Sequence, residues 1–350
     1  FYTIEQDKRF DESLENSLYF DKSSEWLNLI YKDDFKDIPN EIKELLISSH
    51  QILGATCMGL ANKSLGLDLS EFDIAIIDEA GRATAPELLI PILRAKKVVL
   101  IGDHNQLPPT VDKQLFKDIE DDNIDKLTFE DKEVLEKSFF EELYEKIPNS
   151  NKMMLNEQFR MPKKIGDLIS ELFYESMLKN GHIKDSSNFI DSKNIVKWID
   201  VKGIHEVYNN SSFNDEEVKA ICILLDTINK YLENKKYKKT VGIITPYTAQ
   251  KNKLRKKIDI SEYSNFENLK IDTVDSFQGE EADIIIYSTV KTFGNISFLL
   301  DKKRLNVAIS RTKENLFFVG NKSFFENIKI INNEENLFKK IITLIDTKQG

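Results

Sequence analysis

The chain has 350 residues, of which 41% are hydrophobic and 31% charged, with a formal net charge of −10 and two cysteines. That length accommodates two domains of ordinary size, each with a real core. No apolar run reaches the about 18 residues that a membrane span needs, and Cys57 and Cys222 are too few and too far apart for a disulfide framework or a zinc site, which favours a reducing, cytoplasmic setting.

The net charge conceals a segregation of signs. Asp118 to Glu145 holds twelve acids and three lysines, whereas Lys235 to Lys257 holds nine bases and no acid. A bulk negative charge therefore does not exclude a nucleic-acid partner. The basic block reads equally well as a phosphate-binding surface or as a solvated helix face. The opening residues Phe1-Tyr2-Thr3-Ile4-Glu5 form no signal-peptide pattern. They also lack a start methionine, so the chain is expected to be a piece of a longer protein.

In chain order, residues 1 to about 48 carry apolar residues at three- and four-residue spacings in "SLENSLYF" and "SEWLNLIY", a helical and acidic segment. A short buried strand is expected at Gln51 to Leu53, entering a polar turn. "FDIAII" (72–77) and "KKVVLIGD" (96–103) read as β-branched strands. Residues 112–136 read as an acidic surface insertion, and "FFEELYEK" as a helix. A second half opens near Lys152. It brings strands at 195–201, 240–247, "LKIDTVDSF", "ADIIIYSTV" and "NLFFVGN", and helices at 214–233, "DKKRLNVAISRT" and about 334–346. Asn214 or Asp215 is the expected N-cap of the first of these helices. Strands that alternate with helices, and are apolar on both faces, indicate an α/β fold of parallel sheets flanked by helices. The expected division is residues 1–150 and 151–350.

In such sheets the polar residues at the carboxyl ends of strands face the ligand crevice. Asp78 and Glu79 end one strand. Asp103 and His104 end another, followed by Asn105-Gln106-Leu107-Pro108-Pro109. An Asp there suits Mg²⁺, a hard cation that prefers oxygen ligands. An adjacent Glu suits proton abstraction from water, and the pair together suits cleavage of a nucleoside triphosphate. Asp103 equally suits capping a turn.

The ordered set DEAG, GDHNQLPP, NEQFRMP, ITPYTAQ, VDSFQGEEAD and LNVAISRTK resembles motifs II to VI of the superfamily 1 helicases. The nearest group is the superfamily 1B branch that contains the nonsense-mediated-decay RNA helicase. The likeness spans roughly residues 50–320. It implies two RecA-like domains with ATP at their interface, the first incomplete at its N-terminus. By that resemblance Asp78 would hold Mg²⁺, Glu79 would be the catalytic base, Gln106 would contact the γ-phosphate, and Arg160 and Arg311 would be arginine fingers. Gln158, Gly279 and Glu280 would lie around the nucleotide. Thr56, Pro108, Thr245, Tyr247 and Thr273 would approach single-stranded DNA or RNA, traversed 5′ to 3′. Hydroxyls and backbone N–H groups hold phosphates without reading sequence. Tyr247 offers a π-face for stacking or, alternatively, a buried structural ring.

One departure stands out. The phosphate-binding loop G-x-x-x-x-G-K-S/T is not in this sequence. Gly54 and Gly59 have the glycine spacing, but Leu60 and Ala61 follow where Lys and Ser/Thr belong. The loop is expected upstream of Phe1, and the 350-residue chain alone is expected to be inactive. Arg82 stands where many relatives carry Gln, and "RMP" lacks a usual His. Two other classes remain open: a non-catalytic nucleic-acid-binding module, and a metal-dependent nuclease using the same carboxylates.

Overall fold

The structure is a computed structural model that describes residues 47, 49–62, 71–109, 138–181, 190–277, 279–329 and 335–347. Most of the expected N-terminal helical segment, the insertion at 112–136 and Gln278 lie outside the described residues. Two compact units emerge. The first comprises residues 1–102 and 109–143, and the second residues 103–108 and 144–350.

In the first unit, α1 (Cys57–Leu60), β1 (Phe72–Ile77), α2 (Ala85–Ile92) and β2 (Ala95–Leu100) are followed by α3 (Phe139–Lys146), which runs across the unit boundary. β1 and β2 pair in parallel, with Ile77 opposite Leu100. The Glu87 carboxylate accepts the Thr84 N–H at 2.8 Å and so closes the start of α2. One face of the strand pair packs Ile77 with Ala80, Leu88 and Phe140. The other presents Ile74, Ile76 and Val99 to solvent, so among the described residues only one face is covered. Gln51 to Leu53 form no strand, and Ile52 is 88% exposed. Three residues without a neighbouring ladder leave their backbone groups unpaired, and propensity alone does not hold them extended.

The second unit is built on a five-stranded parallel sheet of order β5-β11-β10-β8-β9: β5 (Val196–Asp200), β8 (Lys239–Thr245), β9 (Phe266–Thr273), β10 (Ala282–Ser288) and β11 (Thr312–Gly320). The period of two splits each strand between two cores. Ile285 and Tyr287 of β10, with Leu316 and Phe318 of β11, face α4 (Lys163–Phe173), α7 (Lys302–Ser310) and α8 (Leu337–Thr347). Ile284, Ile286, Phe317 and Val319 face α5 (Asp215–Lys235) and α6 (Thr248–Lys257). α5 meets the sheet with Val218, Ile221, Leu225, Ile228 and Leu232, the three-and-four spacing of one helical face. Each such fully buried aliphatic side chain contributes about 1.5–3 kcal/mol. Asn214 caps α5 by accepting from Glu216 and Glu217 N–H groups at 3.1 and 3.3 Å.

Helices α4 and α6 and the hairpin of β6 (Glu206–Tyr208) with β7 (Ser211–Phe213) have no counterpart among the sequence expectations. α6 buries only Gln250 and Leu254, so it carries almost no apolar stripe. The hairpin turns through Asn209 and Asn210, both at positive φ (47° and 60°), the conformation of a tight two-residue turn. The basic block lies largely in α6, and the fold takes up several of its charges. Lys239 pairs with Glu314, Lys253 with Asp215, and Lys251 and Arg255 with Asp272.

Glu217 is wholly buried, and its carboxyl accepts from Ser288 Oγ at 2.6 Å and from Val290 N at 2.9 Å. Burial pushes it up from 4.5 to about 7, against those donors. The folded state therefore retains a proton that the unfolded chain releases. Stability conferred by this group is present below about pH 4.5 and is lost as pH rises to about 7, a change of about 3 kcal/mol at most. Urea denaturation at pH 5 and pH 7.5 should show the lower stability at the higher pH, and Glu217→Gln should flatten that difference. An unchanged difference in the variant would refute the assignment to Glu217.

Candidate functional site

In the first unit β1 delivers Asp78 and Glu79 at its carboxyl end, both exposed. Glu79 adopts a left-handed conformation (φ 53°, ψ 32°), and its N–H donates to Asp78 Oδ1 at 2.9 Å. A non-glycine residue held there marks a constrained turn. The other Asp78 oxygen remains available for a hard cation. No group of three metal-ligating side chains occurs among the described residues. Thr56 caps α1, accepting the Gly59 N–H at 2.9 Å.

The second unit contains the densest cluster. The loop Asp103–Pro108 directly follows β2 in the chain but clusters with this unit. Gln106 Nε2 donates to Asp103 Oδ2 at 2.9 Å, and the Tyr174 hydroxyl donates to the same oxygen at 2.5 Å. Asn306 Nδ2, on α7, reaches Tyr174 Oη and the Asn105 carbonyl, each at 2.9 Å. Asn306 Oδ1 has no hydrogen-bond partner among the described residues, although the residue is fully buried. Burial, and then the Asp103 charge, push the Tyr174 hydroxyl pKa upward, so it stays a proton donor.

Arg311, 4% exposed at the C-terminus of α7, donates to Gln106 Oε1 at 2.9 Å, to the Val307 carbonyl at 3.1 Å and to the Glu280 carbonyl at 3.4 Å. Arg160 lies in the same unit. It donates to the Ser310 carbonyl at 3.4 Å and pairs with Glu281 at 2.9 Å. Lys313 first, and Arg160 after it, hold the Glu281 carboxyl below its usual range. His104 stacks on Tyr144 with centroids 4.6 Å apart.

Some candidates are occupied differently from what the sequence implies. Gln158, on β3 (Glu157–Gln158), donates to the Met161 carbonyl and to Asn180 Oδ1, and accepts from the Arg160 and Met161 N–H groups. Its amide is thus fully used in shaping the turn that carries Arg160. The packing leaves no room for a side chain at Gly166, where a Cβ would meet Asn180 Oδ1 at 2.0 Å. That glycine sits on the buried face of α4, beside an apolar stripe of Ile165, Leu168, Ile169, Leu172 and Phe173. Glu280 follows Gly279, at φ 83°, and its carboxylate pairs with Lys270 at 2.6 Å. Glu281, not singled out from the sequence, is the acid that meets Arg160. Tyr174 was missed too, since a lone Tyr at a helix end carries no motif signal.

Of the remaining candidates, Pro108 is half-buried. Thr245 is fully buried, its hydroxyl 3.5 Å from the Tyr247 N–H, so that side chain offers nothing to a surface ligand. Tyr247 packs against the core and lies 5.8 Å from the Phe298 ring, and burial pushes its hydroxyl up to about 12. Thr273 shares a hydroxyl contact with Ser276 at 3.3 Å near the surface. No described helix is long and apolar enough to cross a membrane.

Two family models, each described as an AAA domain, match residues 8–114 and 135–323. An uncharacterised ATP-dependent helicase of Methanocaldococcus jannaschii is 32% identical over 88% of this chain and 45% of its own length. Helicase sen1 of Schizosaccharomyces pombe is 32% identical over 80% of this chain and 16% of its own. Regulator of nonsense transcripts 1 of Dictyostelium discoideum is 29% identical over 86% of this chain and 22% of its own. The chain spans less than half the length of each of these relatives.

Proposed function

The chain belongs to the AAA-domain superfamily 1 helicases of the nonsense-mediated-decay type, and from that membership we propose that it is the motor portion of an ATP-dependent helicase or translocase. ATP is hydrolysed between two RecA-like domains, residues 1–150 and 151–350, in a cytoplasmic protein that moves 5′ to 3′ along single-stranded DNA or RNA. Asp78 would hold the Mg²⁺, which supplies charge neutralisation at the phosphates. Glu79 takes the proton of the attacking water. Arg311 and Arg160 stabilise the charge that develops on the transferring phosphoryl group, a task suited to a permanently charged, forked donor.

The observation that carries this reading is the 2.9 Å contact of Arg311 with Gln106. It joins the residue expected to sense the γ-phosphate to the residue expected to stabilise its transfer. Asp103, Tyr174 and Asn306 tie the same loop to α7, so a shift of Gln106 on nucleotide binding would move Arg311 with it. A nuclease has no use for such a linkage.

The test is ATP turnover by the full-length protein with poly(dT) and poly(U) as activators, together with unwinding of duplexes bearing 5′ or 3′ tails. Stimulated turnover and 5′-tail-dependent unwinding are expected. Absence of any stimulation, or cleavage of single strands with Mg²⁺ alone, would overturn the proposal. The purified 350-residue chain should hydrolyse essentially no ATP, because G-x-x-x-x-G-K-S/T is not in its sequence. Glu79-dependent turnover by that chain would contradict this.

A further inference from the structure

The loop after β10 holds a partly buried cation, Lys291. Lys291 follows Val290, a β-branched residue at φ 69° whose N–H is anchored on the Glu217 carboxylate at 2.9 Å. Such a backbone conformation is costly for valine and persists only where the surroundings enforce it. Lys291 Nζ lies 3.3 Å from His205 Nε2, and His205 is only 2% exposed.

The tautomer follows from the neighbours. An ammonium opposite Nε2 requires that nitrogen to accept, so the proton sits on Nδ1 and is donated to Thr292 Oγ1 at 3.0 Å. The Thr292 N–H, 3.2 Å from Nδ1, would suit the other tautomer, which would set two donors against each other at Nε2. Lys291 is therefore positioned by a neutral acceptor. It pairs with no carboxylate among the described residues, in contrast to Lys239, Lys251, Lys253 and Arg255. Burial lowers its pKa, and no acid offsets that. A partly desolvated cation without a counter-ion is stabilised by an incoming anion.

An aromatic ring stands beside it. Phe293 covers the His205 imidazole with centroids 4.0 Å apart, yet remains 54% exposed. The same loop runs on to Phe298, 5.8 Å from Tyr247, whose segment follows the neighbouring strand β8. A charge and an open ring thus follow the carboxyl end of β10, in a loop that goes on to reach the segment after β8 through Phe298.

We propose that Lys291 and Phe293, supported by His205, form a further contact for single-stranded nucleic acid, with Lys291 on a phosphate and Phe293 against a base. This rests on the nucleic-acid reading above and adds residues that the motif resemblance does not include. Stacking on an aromatic is tolerant of sequence, because every base has a π-face.

The test is fluorescence anisotropy of labelled oligo(dT) and oligo(U) on the 350-residue chain, over about 50–200 mM salt. Lys291→Gln should weaken binding and lower the salt slope by about 1, while Lys291→Arg keeps the slope. Phe293→Ala should weaken binding about 5- to 150-fold with the slope unchanged, and Phe293→Trp should restore it. Unaltered affinity and slope in Lys291→Gln and Phe293→Ala, with wild-type binding intact, would overturn this contact and leave the nucleic-acid reading standing. Release of the strand by polyglutamate from the wild type, but not from Lys291→Gln, would assign the surface to an acidic polypeptide instead. A wild-type chain that binds neither oligonucleotide would overturn both.

Discussion

Replacing Arg311 with lysine is expected to slow the proposed single-strand-stimulated ATP turnover of the full-length protein about 10³-fold or more, with the protein still folded. The side chain is 4% exposed, and its guanidinium spreads over Gln106 Oε1, the Val307 carbonyl and the Glu280 carbonyl at 2.9, 3.1 and 3.4 Å. Three nitrogens in a rigid plane reach these acceptors together. A lysine brings one nitrogen on a flexible stem and loses the fork. The loss should appear in kcat rather than in KM, because the charge that Arg311 is proposed to meet develops only in the transition state. Combining Arg311→Lys with Gln106→Ala in a double-mutant cycle gives the sharper measurement. The two effects should be strongly non-additive if the contact works as a unit. Additive losses would mean that the hydrogen bond is incidental to turnover.

Glu79→Gln is expected to lower kcat about 10²–10⁴-fold and to leave nucleotide affinity within a few-fold of wild type. The substitution keeps the side-chain shape and removes only the proton acceptor. The backbone should tolerate it, since the left-handed turn is secured by the main-chain N–H of Glu79 on Asp78 Oδ1 at 2.9 Å, a bond that a change of side chain leaves in place. Asp78→Asn should behave differently. It weakens the oxygen ligand available to Mg²⁺, so added Mg²⁺ should partly rescue that variant and not Glu79→Gln. Equal rescue of both would assign Glu79 to the metal rather than to the water.

The amino-acid sequence alone determined the α/β class, most strands of the second unit, an N-cap at Asn214 or Asp215, and the six ordered motifs. These are properties of neighbouring residues. The unbroken apolar run in "ADIIIYS", buried on both faces, and the three-and-four spacing in α5 follow from local geometry and survive into the fold. The carboxylates, glutamine and arginines of the proposed site stand out in the sequence for the same reason, since each motif is contiguous. α4 does carry a local signal, the apolar stripe Ile165, Leu168, Ile169, Leu172 and Phe173, whereas α6 lacks any such stripe.

Tertiary structure alone decided what each polar side chain touches. Gln106 and Arg311 stand 205 residues apart in the chain and 2.9 Å apart in space. Adjacent glutamates diverge, Glu280 to Lys270 and Glu281 to Arg160. Gln158 is spent on its own turn, Thr245 is sealed inside, and Tyr174 joins a loop to a helix without any motif of its own. The physical reason is that hydrogen bonds and ion pairs act over about 3 Å. Which donor meets which acceptor at that range is fixed by the packing of the sheet and its helices, and residue type and spacing do not encode it.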